Sequence, residues 1–255
     1  MRHPIFWILA RRICLLLLTL SACNNPSTPK PPRIPTPLDL STVGTVSGQV
    51  HFEGTVPDQT ILQLGGWSAC AVQHPDGLPQ TADVLVHDGK LQNAVVYIKQ
   101  GLGERIFAVP TKSVTSDQTG CLFLPRIMAV RVDQPLQFLN SDPTAHNVHG
   151  LPQQARPWNF SLGVKGASRT INIETPENII PIKCDIHGWM RAYIGVFDHP
   201  YFAVTDANGS FSLPDIPPGD YIIEAWHERF GTQEQPVTLG EKGQQELVFT
   251  FRGKE

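Results

Sequence analysis

Three side chains with metal-binding chemistry fall at three-residue intervals in "IKCDIHGWMRAYIGVFD" (182–198): Cys184, His187 and Met190. About 40 residues upstream, the polar stretch "FLNSDPTAHNVHG" (138–150) carries a His146-Asn147 pair. A thiolate, two imidazoles and a thioether are the donor set of a mononuclear copper site, because soft sulfur stabilises Cu(I) and imidazole suits both oxidation states. Two other readings stand beside it. His149 turns the pattern into H-x2-H…C-x2-H, which could hold zinc tetrahedrally. Alternatively no metal binds, Cys184 is a buried or disulfide-bonded thiol, and the histidines are ordinary surface residues. A second cysteine in the loop would be needed for a binuclear copper centre, and only Cys184 is there. No Ser-His-Asp set, paired-carboxylate motif or phosphate loop is recognisable, so no catalytic residue is assigned and the chain reads as a non-enzyme. Substrate binding at an open copper position is the one catalytic route left open.

Such residues need strands to hold them. Prolines and glycines are spread along the chain, and short apolar runs bounded by Gly, Pro, Asp or Asn dominate, which predicts an all-β protein. Strands are expected at 46–52, 83–87, 94–99, 121–125, 127–132, 136–140, 168–173, 179–183 and 192–197, with a hairpin turn at "HDGK" (87–90). His146 then falls in a loop after one strand, and Cys184 to Met190 in a loop between two strands. From Asp198 the pattern restarts. "DANGSF" is a tight turn, "PDIPPGDYIIEAW" a corner feeding a strand, and two strands follow at 235–239 and 245–251. His74, His199 and His227 read as loop or strand-end histidines and Met128 as core.

Two resemblances follow from these residues. With "HNV" at 146–148 and "CDIHGWM" at 184–190, residues 44–198 resemble a cupredoxin, a Greek-key β-sandwich. The resemblance implies His146, Cys184 and His187 as equatorial copper ligands and Met190 as the axial one, with His149 the alternative. It also implies that Asn147 braces the two loops and that His187 lies near the surface as the electron route. The gap of two residues between His187 and Met190 is shorter than in plastocyanin-type loops. Thr205-Asp206, Gly209, Phe211, Pro217-Pro218-Gly219 and Tyr221 make residues 199–255 resemble the carboxypeptidase regulatory-like module, a small transthyretin-like β-sandwich. The chain as a whole resembles secreted bacterial proteins of the plastocyanin-like, methylamine-utilisation type. The implied cofactor is one type 1-like copper ion, with zinc as the alternative, and the implied partner is a redox protein. Copper storage or delivery, or a surface interaction role with a structural zinc or no metal, are the competing functions.

The compartment is set by the leader. "MRHPIFWILARRICLLLLTLSAC" has arginines ahead of an apolar run too short to span a bilayer, which reads as a signal peptide over 1–22. The ending "LSAC" resembles a lipoprotein cleavage box with Cys23 as the lipidated residue. The proline-rich stretch 23–43 would be an extended tether. A lipid there anchors an extracytoplasmic protein to a membrane without spanning it, and Asn24 is compatible with the outer membrane. Net charge is −3 with no basic stripe, which argues against nucleic acid. In an oxidising compartment Cys70, Cys121 and Cys184 leave one thiol over. Three pairings are open; Cys70–Cys121 would close a loop of about 50 residues, worth roughly 3–4 kcal/mol in the chain-entropy picture, and would leave Cys184 free.

Overall fold

The computed structural model describes residues 34–64 and 66–253. The signal peptide, Cys23 and the first part of the proline-rich stretch lie outside the described residues. The last part of that stretch is fastened to the body: Thr36 N–H donates to the Ile106 carbonyl (2.8 Å), and Ile106 N–H donates to Thr36 Oγ1 (3.0 Å).

Among the described residues the regular structure is almost wholly strand. β1 (Gly44–Glu53) is followed by the one-turn helix α1 (Ser68–Ala71), β2 (Val86–His87), β3 (Lys90–Leu91) and β4 (Val95–Gln100). Next come β5 (Val114–Thr119), β6 (Leu122–Leu124), β7 (Ile127–Arg131), β8 (Leu136–Asn140) and β9 (His146–Gly150). β10 (Trp158–Leu162), β11 (Ser168–Ile171), β12 (Glu177–Lys183) and β13 (Arg191–Phe197) complete the central stretch. The last five are β14 (Phe202–Val204), β15 (Ser210–Ile216), β16 (Gly219–His227), β17 (Gly231–Leu239) and β18 (Gln244–Arg252).

Four sheets make two sandwiches. One pairs the sheet β10-β9-β12-β13-β7 with β11-β8-β5-β6. Its core includes Phe123, Met128, Phe138, Val148, Ile180, Ile182 and Ile194, and Cys184 and Met190 belong to the same cluster. The other pairs β15-β1-β3-β2, extended by β18 against β1, with β14-β4-β16-β17. Val50, Leu91, Ile98, Leu213, Ile223 and Phe249 fill its centre.

The strand pairing divides the chain differently from the expected boundary at Asp198. β1 runs parallel to β18 and antiparallel to β15, and β4 lies between β14 and β16. Strands β1 to β4 therefore complete the C-terminal sandwich and residues 114–197 form the other one as an insertion, while the segment between β1 and β2 crosses to the inserted sandwich, where Leu64 and Cys70 join its core. The close β1–β18 approach depends on Gly48, where a Cβ would stand 1.9 Å from the Leu247 carbonyl oxygen. The two crossovers are held by buried Arg131, whose guanidinium donates to the carbonyls of Ala108 (3.0 Å), Asp198 (2.9 Å), Phe197 and Phe107. A third apolar cluster, Val95, Tyr97, Ile127 and Phe197, joins the sandwiches.

Candidate metal centre

β9 and β12 are antiparallel neighbours, with Lys183 opposite His149 and Ile182 opposite Gly150. That register carries the start of β9 past the end of β12, so His146 and Cys184 meet. His146 is thus the first residue of a strand, not part of a loop. The turn after Cys184 closes on itself: Met190 N–H donates to the His187 carbonyl (2.9 Å), and Cys184 N–H to the Met190 carbonyl (3.1 Å).

The imidazole nitrogens Nδ1 of His146 and His187 lie 2.9 Å apart, and Cys184 Sγ lies 3.8 Å from His187 Nδ1. Ligand atoms of the three residues all fall within 4.8 Å of one another. His146 and His187 are 0% exposed, and Cys184 and Met190 are each 1% exposed. Cys70 and Cys121 are joined by a disulfide, and Cys184 is a free thiol.

His149 points elsewhere. Side chains alternate along a strand, so His149 shares a face of β9 with Asn147, opposite to His146. Its Nδ1 meets Asp185 Oδ2 at 2.8 Å. It does not join the cluster of His146, Cys184 and His187, so the zinc arrangement that uses it lacks its fourth ligand. Asn147 does brace the two segments: Asp185 N–H donates to its Oδ1 (2.6 Å), and its Nδ2 reaches Asn159 Oδ1 (2.8 Å) and Asp185 Oδ2 (3.1 Å). Lys183 first, then the donors from His149, Asn147 and Asn159, holds the Asp185 carboxyl well below the usual range.

One residue of this cluster is absent from the sequence-derived set. Asp142 is fully buried, and its Oδ2 lies 2.8 Å from His146 Nε2. It also accepts the backbone N–H groups of Gly120 and Cys121, both at 2.7 Å. A carboxylate on the far nitrogen of a ligand imidazole fixes its tautomer and orientation. The spacing Asp142-x3-His146 in "DPTAH" is the signal that could have found it.

The electrostatics favour a thiolate at Cys184. Burial raises the Cys184 thiol, but hydrogen bonds from His146 and from the backbone of Asn147, His187 and Ile186 outweigh it, and its pKa is lowered. Burial lowers His146, and the bonds to Asp142 and Cys184 overcome this and raise it. Asp142 is raised by burial and lowered more by His146 and the two backbone donors. His187 is lowered to about 4, by burial and then by the charge of His146, so its ring is neutral and offers a lone pair near neutral pH.

The expected surface position of His187 is not what the fold provides. The Trp67 ring meets it edge-on with centroids 4.7 Å apart, Trp189 packs at 5.1 Å, and Cys70 Sγ lies 3.7 Å from its Nε2. α1 and the disulfide therefore cover the ring edge, while Trp67 itself is 42% exposed. Of the other aromatics, Trp158 lies over Gly150, where a Cβ would be 2.2 Å from its ring, and Phe160 packs on Phe138 at 5.8 Å. His74 bonds the Gly120 carbonyl (2.8 Å). His227, read as part of an exposed strand tip, is buried and stacks on Phe230 at 4.9 Å.

Comparison with known proteins bears on this fold. Residues 192–252 match the carboxypeptidase regulatory-like domain, a span that begins in β13 of the inserted sandwich and runs to the end of β18. No curated protein matches the sequence. Among solved structures the chain is similar to a Cu-containing nitrite reductase (NirK) from Thermus scotoductus SA-01, at 24% identity over 39% of this chain and 25% of that one, with a TM-score of 0.33. It is similar to an amicyanin variant in its Cu(I) form, at 18% identity over 40% of this chain and 97% of that one, TM-score 0.30. A purple cupredoxin from Nitrosopumilus maritimus aligns at 18% identity over 29% of this chain and 81% of that one, TM-score 0.26. The chain spans a quarter of the nitrite reductase's length. What these comparisons describe is an all-β protein with a carboxypeptidase regulatory-like segment and cupredoxins among its structural neighbours.

Proposed function

We propose that this chain is a lipid-anchored extracytoplasmic copper protein that carries single electrons, with His146, Cys184 and His187 as the principal ligands and Met190 as the axial one. The observation that carries this reading is the buried convergence of one free thiol and two imidazoles within 4.8 Å. Their separations fit sulfur and nitrogen bonds of about 2.3 and 2.0 Å to one ion. A copper ion bound there would supply a one-electron couple between Cu(I) and Cu(II).

The chain's own residues do the rest. Asp142 fixes the His146 ring, Asn147 ties β9 to the Cys184 turn, and the closed turn limits movement of the sulfur. Trp67 links the covered His187 ring to the surface, where a redox partner protein would meet it. Anchorage rests on the leader sequence and Cys23. The burial of both imidazoles favours one second reading, a site that holds copper for storage or delivery.

Copper(II) added to the purified protein is expected to give strong visible thiolate-to-copper absorption that vanishes in Cys184→Ser. Colour that persists without Cys184 rejects the ligand assignment. Reversible oxidation and reduction with the metal retained marks a carrier, and loss of the metal on each reduction marks delivery. Cys23→Ser should move the protein from the membrane to the soluble fraction.

A further inference from the structure

His187 has donor groups at both ring nitrogens. Nδ1 faces His146 and Cys184, at 2.9 and 3.8 Å. Nε2 faces Cys70 Sγ at 3.7 Å, and donor atoms of Cys70, Cys121 and His187 all lie within 4.8 Å of one another, fully buried. We propose that Cys70, Cys121 and His187 form a second binding site for a thiophilic cation such as Cu(I) or Zn(II), closed by the disulfide and opened by its reduction.

The geometry is nearly in place. A metal with bonds of about 2.3 Å to thiolate and about 2.0 Å to imidazole separates those two atoms by roughly 3.5–3.8 Å, and Cys70 Sγ already stands 3.7 Å from His187 Nε2. What prevents binding is covalent: the thiolate, not a disulfide sulfur, is the ligand. A dithiol removes that obstacle by exchange. The Cys70–Cys121 S–S bond breaks, each sulfur takes up a proton, and the dithiol gives up two electrons and closes into its own disulfide. Metal entry then displaces the two thiol protons. The Gln73 amide, 3.9 Å from Cys121 Sγ, is placed to donate to the charge so formed. Access is local, because α1 is a single turn flanked by chain without regular structure and by the exposed side chains of Trp67 and Val72.

This site shares His187 with the proposed copper centre but does not require Cys184, so the two readings can fail separately. The test is Cu(I) stoichiometry by anaerobic competition with bicinchoninate. Disulfide-intact protein is compared with protein reduced by a phosphine that is then removed by gel filtration. Two ions per reduced chain and one per oxidised chain are expected. In Cys184→Ser the expected values are one and none, which isolates the second site. No gain in bound Cu(I) on reduction of the wild-type chain, or none in reduced Cys184→Ser, overturns the proposal. Alkylation of the reduced wild-type chain, read by mass spectrometry, needs no variant. Bound Cu(I) should protect Cys70 and Cys121 from iodoacetamide, and undiminished labelling of either also overturns it.

Discussion

Asp142 supports the candidate site from outside the sequence motif, because one buried carboxylate serves His146 and two backbone N–H groups. Asp142→Asn keeps the size but turns an amide group toward donors that need an acceptor. Copper affinity, measured by chelator competition, should fall about 10–100-fold; a change under about twofold removes Asp142 from the site. Two buried histidines outside the site contribute to the acid response. Burial first of all lowers His199 and His227 from the ordinary 6.5 to about 4. Between those values the unfolded chain binds more protons than the folded one, so stability must fall as pH drops through that window. The urea midpoint should be lower at about pH 4.5 than at about pH 7, and His199→Gln with His227→Gln should reduce the difference. An unchanged slope in that double variant would place the proton uptake elsewhere. At this scale the convergence was legible: residue type and spacing pointed to His146, Cys184 and His187, whose donor atoms the fold brings within 4.8 Å of one another. The role of His149 was not, because face alternation decides it and the strand that imposes it had been read as loop. The cover over His187 was not legible either, since Cys70 and His187 are 117 residues apart.

Among the elements, β1 shows why long-range pairing escapes a sequence reading. Its alternating apolar residues predict a strand and a buried face, and both are present, but the pattern names no partner. Gly48 is the hidden specification, since its missing Cβ is what lets the β18 backbone close in. Gly48→Val should cost about 1–3 kcal/mol, as forced overpacking does, read from the urea midpoint; a variant as stable as the parent would mean that β18 does not lie against β1. α1 offers a parallel case nearer the site. "GWSACA" carries no helical periodicity, and its single turn exists because Cys70 is tied to Cys121 and Trp67 lies on His187. Trp67→Ala should leave the copper spectrum in place while a small chelator strips the metal faster, by about tenfold in stopped flow, because Trp67 covers a ligand and supplies none. Equal stripping rates would show that the cover has no barrier function.

On the scale of the whole molecule, the architecture is a sandwich interrupted by another sandwich. β4 leaves the outer one and β14 returns to pair with it, with Phe202 opposite Tyr97 and Val204 opposite Val95. The two chain ends of the insertion therefore stand side by side, and the strands of the outer sandwich pair without it; only the segment between β1 and β2 packs onto the insertion. A division at Asp198, where the sequence pattern restarts, does the opposite. It strips β1 of β15 and β18, and β4 of β14 and β16. Sheet edges carrying Val50, Val96 and Ile98 would face water, and exposed apolar edges drive aggregation. A chain ending at Asp198 should accordingly be insoluble or bind a hydrophobic dye, whereas a chain in which residues 101–199, and with them the 55–82 segment that packs on the insertion, are each replaced by a short Gly-Ser linker should unfold cooperatively. Circular dichroism melts and size-exclusion profiles of the two separate the outcomes. A soluble, cooperatively melting 34–198 fragment would show that β1 to β4 do not need their C-terminal partners, and the interrupted architecture would fall with it.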